Sequence, residues 1–378
     1  MNEAWLVDFF KDLHAHPELG MEEFRTTDRI RAALRANGVA LLDADLTTGA
    51  VAQIGAGGPV IGLRCDIDAL PIQEASGLAY ASVNPGRMHA CGHDFHTSVM
   101  LGAAILLKRR EPQLKGTVKV VFQPSEEVNR GATTILATGL LDDAREFYGV
   151  HSYPFFPAGT LGIKEGPVMA ATDRFAIRLK GKGAHGAQPH KGVDPIPAAA
   201  TVALAVQSIV SRAVDPFAPT VVSVTRLQAG STWNVVPETA ELEGTVRTFS
   251  VPQRDFIRAS LRRIADSVAA AYGCSAGFEY EEGPDPVVND AGLCAEARAV
   301  ALDMGFAVDR QEDTMSGEDF SEYLKRCPGA FIRVGTGGGR AAHTPRFCVD
   351  PAAIWPAANF FAELAARRCA ALGQQPQA

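Results

Sequence analysis

Apolar positions recur at helical spacing through residues 3–36, broken only where His14-Ala15-His16-Pro17-Glu18-Leu19-Gly20 brings in proline and glycine. The pattern predicts two helices with a turn between them. From Val39 the spacing shortens to that of strands, over 49–54, 60–65 and, after a helical stretch that runs to Leu107, 116–122. Two of these strands end on acidic residues. One runs into Asp66-Ile67-Asp68, and another is stopped by Pro124 ahead of Ser125-Glu126-Glu127. A helix over 132–141 leads to a short strand, 147–150, that ends at His151. Strands alternating with helices predict a mostly parallel sheet, whose ligands gather outside the carboxyl ends of its strands. Asp66, Asp68, Glu126, Glu127 and His151 all fall at such ends.

The pattern changes in the middle of the chain. Residues 172–182 read as a strand, 195–212 as a helix, 220–227 and 240–249 as strands, 253–272 as a long amphipathic helix and 275–281 as a strand. This βαββαβ order is that of a ferredoxin-like unit. Boundaries near Ala171 and at Pro284-Asp285-Pro286 make it an insertion, so that residues 1–171 and 285–378 form one α/β domain and residues 172–284 a second. The chain then returns to helices over 291–304 and 318–326, a strand over 330–335, the loop Thr336-Gly337-Gly338-Gly339, His343-Thr344-Pro345 and a last helix over 354–372.

Composition narrows the function classes. With 378 residues, 47% hydrophobic and 21% charged, the chain can bury the cores of two domains and carries no signature of disorder. A net charge of −7 with scattered Lys and Arg offers no basic face to a phosphate backbone, so no nucleic-acid partner is expected. No apolar run approaches the ~18 residues of a membrane span. The apolar start Trp5-Leu6-Val7 is broken by Asp8 and Lys11 before a signal-type stretch develops, and a cytoplasmic protein without a membrane partner is expected. Seven cysteines without framework spacing fit reduced thiols.

The chemistry concentrates in Met88-His89-Ala90-Cys91-Gly92-His93-Asp94-Phe95-His96, a short run with one thiol, three imidazoles and a carboxylate. Cys91 and His93 stand two apart across a glycine, so in extended chain both project to one side, as a metal requires. Taken alone, the run is equally a buried thiol among structural histidines. What decides is whether the rest of the chain supplies matching ligands.

With Cys91-Gly92-His93, Glu126-Glu127, His151 and His343-Thr344-Pro345 in that order, the chain resembles the M20 family of metallo-amidohydrolases and peptidases. It is most similar to the subgroup of aminoacylases, hippurate hydrolases and auxin-conjugate hydrolases, over nearly its whole length. The resemblance implies two divalent ions held by Cys91, His93, Glu127, His151 and His343, with Glu126 as general base and Asp68 orienting a histidine ligand from behind. It makes the inserted unit a lid and dimerisation domain, with His185 of Gly183-Ala184-His185-Gly186-Ala187 serving the partner's active site. Asn234 and Arg247 match positions that grip the substrate's α-carboxylate. Departures from the family pattern, at Val128-Asn129-Arg130-Gly131, Ser316-Gly317-Glu318-Asp319-Phe320 and Ala342, lie near the pocket and bear on substrate choice.

Physical chemistry fits these implied roles. Adjacent Glu126 and Glu127 cannot face the same way in extended chain, so one can hold metal while the other takes a proton from water. His185 follows Lys180-Gly181-Lys182-Gly183, a glycine-rich loop suited to close approach. A guanidinium at Arg247 can bind a carboxylate bidentately. His14, His16, His89, His96 and His190 read as structural or supporting, and the other six cysteines as buried thiols. The expected reaction is hydrolysis of an N-acyl amino acid by a homodimer or a higher homo-oligomer. Dipeptidase, carboxypeptidase or N-carbamoyl hydrolase activity on the same centre is the alternative within enzymes. A non-catalytic metal-binding protein is the alternative outside them, and it would have no use for a non-ligating Glu126. Mn²⁺, Zn²⁺, Co²⁺ and Ni²⁺ all tolerate the ligand set.

Overall fold

The structure, a computed structural model, describes residues 1–310 and 312–374; Gln311 and residues 375–378, the end of the expected second catalytic segment, lie outside the described residues. The chain opens with helices α1 (Glu3–Ala15) and α2 (Phe24–Ala36) and strands β1 (Ala40–Leu41), β2 (Ala50–Ile54) and β3 (Val60–Asp66). Helix α3 (His93–Arg109) precedes β4 (Thr117–Gln123), and α4 (Gly131–Leu136) precedes β5 (Ala144–Tyr153), β6 (Thr160–Gly162) and β7 (Gly166–Met169). The middle holds β8 (Ala171–Lys180), β9 (Ala184–His185), α5 (Pro195–Ala205), β10 (Thr220–Ala229), β11 (Val235–Val236), β12 (Thr239–Thr248), α6 (Val251–Ala271) and β13 (Ser275–Glu281). Then come β14 (Val287–Asn289), α7 (Ala291–Asp303), β15 (Ala307–Asp309), α8 (Ser321–Leu324), β16 (Gly329–Gly335) and α9 (Ile354–Gly373).

These elements fall into two units. One comprises Met1–Val168, Val288–Glu312 and the chain from Asp319 onward; the other comprises Met169–Val287 with Asp313–Glu318. The first is built on one sheet in the order β1-β2-β4-β3-β5-β16-β6-β15. Its middle strands β4, β3, β5 and β16 run parallel to one another, while β2 joins β4 and β6 joins β16 antiparallel. Strands β3, β4 and β16 are buried along their whole length, as expected of a parallel sheet covered on both faces. Close packing there needs a glycine: a Cβ on Gly62 would stand 2.1 Å from the Phe147 ring. Helix α3 is buried over nearly all its residues and packs among α1, α9 and the sheet, so its apolar positions surround it and do not form one stripe.

The sheet also buries charge. Arg64, fully enclosed on β3, donates to Asp66 Oδ2 at 2.9 Å, Gln123 Oε1 at 2.8 Å and Asp319 Oδ1 at 2.7 Å. Removing one partner of such a group leaves an uncompensated buried charge, at a cost of about 3–5 kcal/mol.

The second unit is a four-stranded antiparallel sheet in the order β10-β12-β8-β13, with α5 and α6 packed on it. The connection order is βαββαβ, that of a ferredoxin-like unit. Its core is Phe175, Ile177 and Leu179 of β8 with Val202, Leu242, Ile257 and Leu261. Among the described residues, no helix is long and apolar enough to cross a membrane.

Three expected helices are shorter than their periodicity suggests. The helix expected over 195–212 stops at Ala205, and Ile209–Ala213 continues as a wider π turn. The one expected over 132–141 ends at Leu136, ahead of a turn at left-handed Gly139. The one expected over 318–326 shrinks to Ser321–Leu324, because Asp319 is held outside it by Arg64, Gln123 and the Ala132 N–H.

Candidate metal centre

The parallel strands of the first unit deliver the predicted residues at their carboxyl ends. Strand β3 leads to Asp68, β4 leads through Pro124 to Glu126 and Glu127, β5 carries His151, and the loop after β16 carries His343. Cys91 and His93 flank Gly92, whose φ of 88° makes the turn into α3 and whose missing Cβ leaves room for Ser152 Oγ. A hydrogen bond from His343 N–H to the Ala90 carbonyl, 2.8 Å, ties the late loop to the Cys-His run.

Hydrogen bonds select the free nitrogen of His93 and of His151. His93 Nδ1 donates to Asp68 Oδ1 at 3.2 Å, which turns its Nε2 lone pair inward. His151 Nδ1 donates to the Ser152 carbonyl at 2.8 Å, and its Nε2 lies 3.6 Å from Cys91 Sγ. His343 Nε2 stands 3.3 Å from Glu127 Oε1. His93 Nε2 is 3.8 Å from the same oxygen and 4.0 Å from Glu126 Oε2. Ligand atoms of Cys91, Glu127 and His343 lie within 4.8 Å of one another, as do those of His93, Glu126 and Glu127.

This arrangement fits a cation. Buried His93 Nε2 and Glu127 Oε1 have no aligned hydrogen bond, although both are enclosed polar atoms that normally find a partner. Burial opposes charge on His93, but Asp66 and Asp68 outweigh it, so the surroundings of the ring favour positive charge, whether a proton or a cation at Nε2. Burial, then the charge of Glu127, pushes the Cys91 thiol up to about 12, so a thiolate here needs a counter-cation. Burial, reinforced by neighbouring His96, keeps His151 neutral with its lone pair available.

Asp68 does more than face His93. Its Oδ1 also accepts the Glu126 N–H at 3.1 Å, and its Oδ2 accepts the Glu127 N–H at 3.0 Å. One buried carboxylate thus holds a histidine and both glutamates of the turn. Sequence reasoning left His96 among the supporting histidines and gave Asp66 no role. In the structure His96 Nδ1 donates to Asp66 Oδ1 and its Nε2 accepts the Ser152 N–H, each at 2.6 Å, so the pair braces the strand that carries His151. The signal for both was present, in an aspartate at a strand end and a histidine one helical turn from His93.

In the second unit His185 is exposed on β9, and its Nδ1 accepts the Ala187 N–H at 3.1 Å. Strand β9 pairs with β11, and Gly186 N–H donates to the Asn234 carbonyl at 2.8 Å, so His185 and Asn234 are neighbours. Arg247 is not with them. It lies opposite Thr172 at one end of β12, whereas the β9–β11 pair follows the other end, where Thr239 faces Lys180. Eight residues of β12 separate Arg247 from that end, about 26 Å at ~3.3 Å per residue.

Residues 62–367 match peptidase family M20/M25/M40. The chain is 45% identical over 363 residues to an N-acetylcysteine deacetylase of Bacillus subtilis, covering 95% of this chain and 96% of that one. It is 40% identical over 287 residues to an N-acyl-L-amino acid amidohydrolase of Geobacillus stearothermophilus, covering 75% and 78%. The structure of the Bacillus subtilis YXEP protein, a dinuclear metal-binding peptidase, superposes with a TM-score of 0.89 at 42% identity, covering 97% of this chain and 98% of that one.

Proposed function

This chain belongs to peptidase family M20/M25/M40, and from that premise we propose that it hydrolyses the amide bond of N-acyl amino acids to a carboxylic acid and a free amino acid. The observation that carries the reading is the turn at Glu126-Glu127: adjacent carboxylates, their amides fixed by Asp68, beside three imidazoles and a thiol. A site that only stored metal would have no use for the extra carboxylate.

Two divalent ions held by Cys91, His93, Glu127, His151 and His343 would supply Lewis acidity for the scissile carbonyl and acidify water. Glu126, 8% exposed, takes the proton of the attacking water and passes it to the departing nitrogen. Asp68 holds the Nδ1–H of His93 and so aims its other nitrogen. His185 donates to the oxyanion that develops on the carbonyl, and Asn234 and Arg247 bind the α-carboxylate of the substrate.

The last two roles have a consequence for assembly. Arg247 lies near one end of β12, and Asn234 precedes the β11 strand that leads into the other end, a separation that supports a carboxylate gripped by residues of two chains. A homodimer through residues 172–284 brings Arg247 of one chain to His185 and Asn234 of the other, with the inserted unit acting as lid and residues 1–171 and 285–378 as the catalytic domain. Mn²⁺ or Zn²⁺ suits the mixed thiolate, imidazole and carboxylate set, as do Co²⁺ and Ni²⁺. The protein works in the cytoplasm, where the Cys91 thiol stays reduced.

Assaying acetyl-, benzoyl- and indoleacetyl-amino acids, N-carbamoyl amino acids and dipeptides with added Mn²⁺ or Zn²⁺ tests the reading. Turnover of N-acyl amino acids above the other classes is expected. Exclusive cleavage of dipeptides, or no metal-dependent turnover, would contradict it.

A further inference from the structure

Among the described residues, the non-glycine positions with a left-handed backbone are Met21 (φ 70°), Ser125 (58°), Asn129 (54°) and His343 (61°). Such a backbone costs free energy for any residue with a Cβ and persists only where the surroundings enforce it. His343 is a candidate ligand, and Ser125 and Asn129 bracket the Glu126-Glu127 turn. Met21 N–H donates to Ser125 Oγ at 2.8 Å. All four therefore border the metal centre.

What enforces the conformation of Ser125 is Glu23. This carboxylate is 0% exposed, and its Oε1 accepts both the N–H of Ser125 at 2.8 Å and its hydroxyl at 3.2 Å. Its Oε2 accepts the Thr48 hydroxyl at 2.9 Å. The next two amides, of Glu126 and Glu127, go to Asp68. Three successive N–H groups are thus taken by two buried carboxylates, at the start of a turn, where the first N–H groups have no partner within the turn itself. The loop that supplies Glu23 is itself fixed. Glu18 accepts the N–H groups of Arg25 and Thr26, and its carbonyl accepts the N–H of Ala69, next to Asp68. A Cβ on Gly20 would stand 3.3 Å from Ser125 Cα, so this loop lies directly on the turn.

We propose that Glu23 is a positioning residue for the reaction: by gripping both donors of Ser125 it locks the left-handed turn that aims Glu126 as base, while the Glu127 amide stays held by Asp68. The inference rests on the reading of those two glutamates given above. Both oxygens of Glu23 are taken by Ser125 and Thr48, so it acts through the turn. Without its grip Ser125 relaxes toward the common backbone regions, and the rotation passes straight to the carboxylate of Glu126.

The test compares Glu23→Ala and Glu23→Gln in the metal-loaded protein. Glu23→Ala leaves the Ser125 N–H without an acceptor and is expected to lower kcat about tenfold or more, as displacement of a reacting group does. KM should hold within about threefold, and bound metal should match wild type. Amide hydrogen exchange should accelerate in the peptide covering 125–127 and stay unchanged in the sheet. Glu23→Gln keeps the carbonyl acceptor and can donate to Thr48 Oγ1, so kcat should return to within about threefold of wild type. Wild-type kcat in Glu23→Ala, unchanged protection at 125–127, or Glu23→Gln as impaired as Glu23→Ala would each overturn the proposal. If Glu23→Ala does not fold, Glu23→Asp and Ser125→Ala carry the same test: lowered kcat with metal retained is expected, and wild-type kcat in both overturns it. Failure of the underlying reading is separable, because it would appear as full activity in Glu126→Gln, whereas the exchange measurement reports on Glu23 without any turnover.

Discussion

The chemical groups of the two units are held in opposite ways. In the first, most of the candidate groups are backed by a buried partner within the same chain: His93 by Asp68, His151 by the Ser152 carbonyl, and the glutamate turn by Asp68 and Glu23. In the second, His185 is exposed, Asn234 is half-buried, and Arg247 lies eight residues of β12 from the end they adjoin. The difference separates two kinds of task. Groups that hold ions and move a proton need fixed lone pairs, and one chain supplies these. Groups that receive a substrate can remain open until something completes them, and on the proposed reading that is a second chain.

The largest effects should come from the preorganised side. Glu126→Gln should lower kcat by about 10²–10⁴-fold with metal content unchanged by elemental analysis. Glu127→Gln should lose metal, since its carboxylate is the one near both Cys91 and His343. Equal metal loss in the two variants would erase the division of labour between them.

Smaller effects are expected from the open side. Arg247→Lys keeps the charge but loses the planar fork, and should raise KM about tenfold for substrates with a free α-carboxylate. Substrates whose carboxylate is amidated should lose no further affinity. If the amidated and free substrates respond alike, Arg247 does not bind that group.

The smallest effect concerns stability and sharpens the comparison from within the first unit. Burial opposes a charged His14, but Asp94 and Glu74, at 2.6 and 3.2 Å, outweigh it and raise its pKa to about 10. A folded-state value above the unfolded value of ~6.5 contributes stability that is full below pH ~6.5 and is lost as pH rises toward 10. The melting temperature of His14→Gln should therefore fall furthest below wild type near pH 6, and the gap should close toward pH 10. A gap that does not change with pH would mean that folding leaves the proton affinity of His14 unaltered.

How much of this was legible in the sequence follows the range of each interaction. The parallel sheet, the inserted βαββαβ unit and the glutamates at the end of β4 are written in local periodicity and in Pro124, and the chain was readable as a member of its family from short motifs. The braces are not local. Glu23 and Ser125 stand 102 positions apart, and Arg64 and Asp319 stand 255 apart. Glu23 sits at the start of the polar helix α2, where a glutamate needs no explanation. Arg64 inside a buried strand breaks the apolar pattern, and of its partners only Asp66 lies nearby, whereas Gln123 and Asp319 are remote in sequence. The same long-range bonds hold Asp319 out of a helix that periodicity extends through it.

The contrast between a site complete in one chain and a substrate-handling surface divided along another is tested most directly by complementation. Chains carrying Glu126→Ala and chains carrying His185→Ala are each expected to be inactive alone, since the second removes a donor worth about 10²–10³-fold in kcat. Mixed, unfolded and reassembled, they should form heterodimers in which one site carries both lesions and the other carries neither. Random pairing into two-fold dimers predicts recovery of about a quarter of wild-type activity per total site. Activity that stays at the sum of the two parents, with heterodimers verified by mass, would contradict the account and return His185 to its own chain.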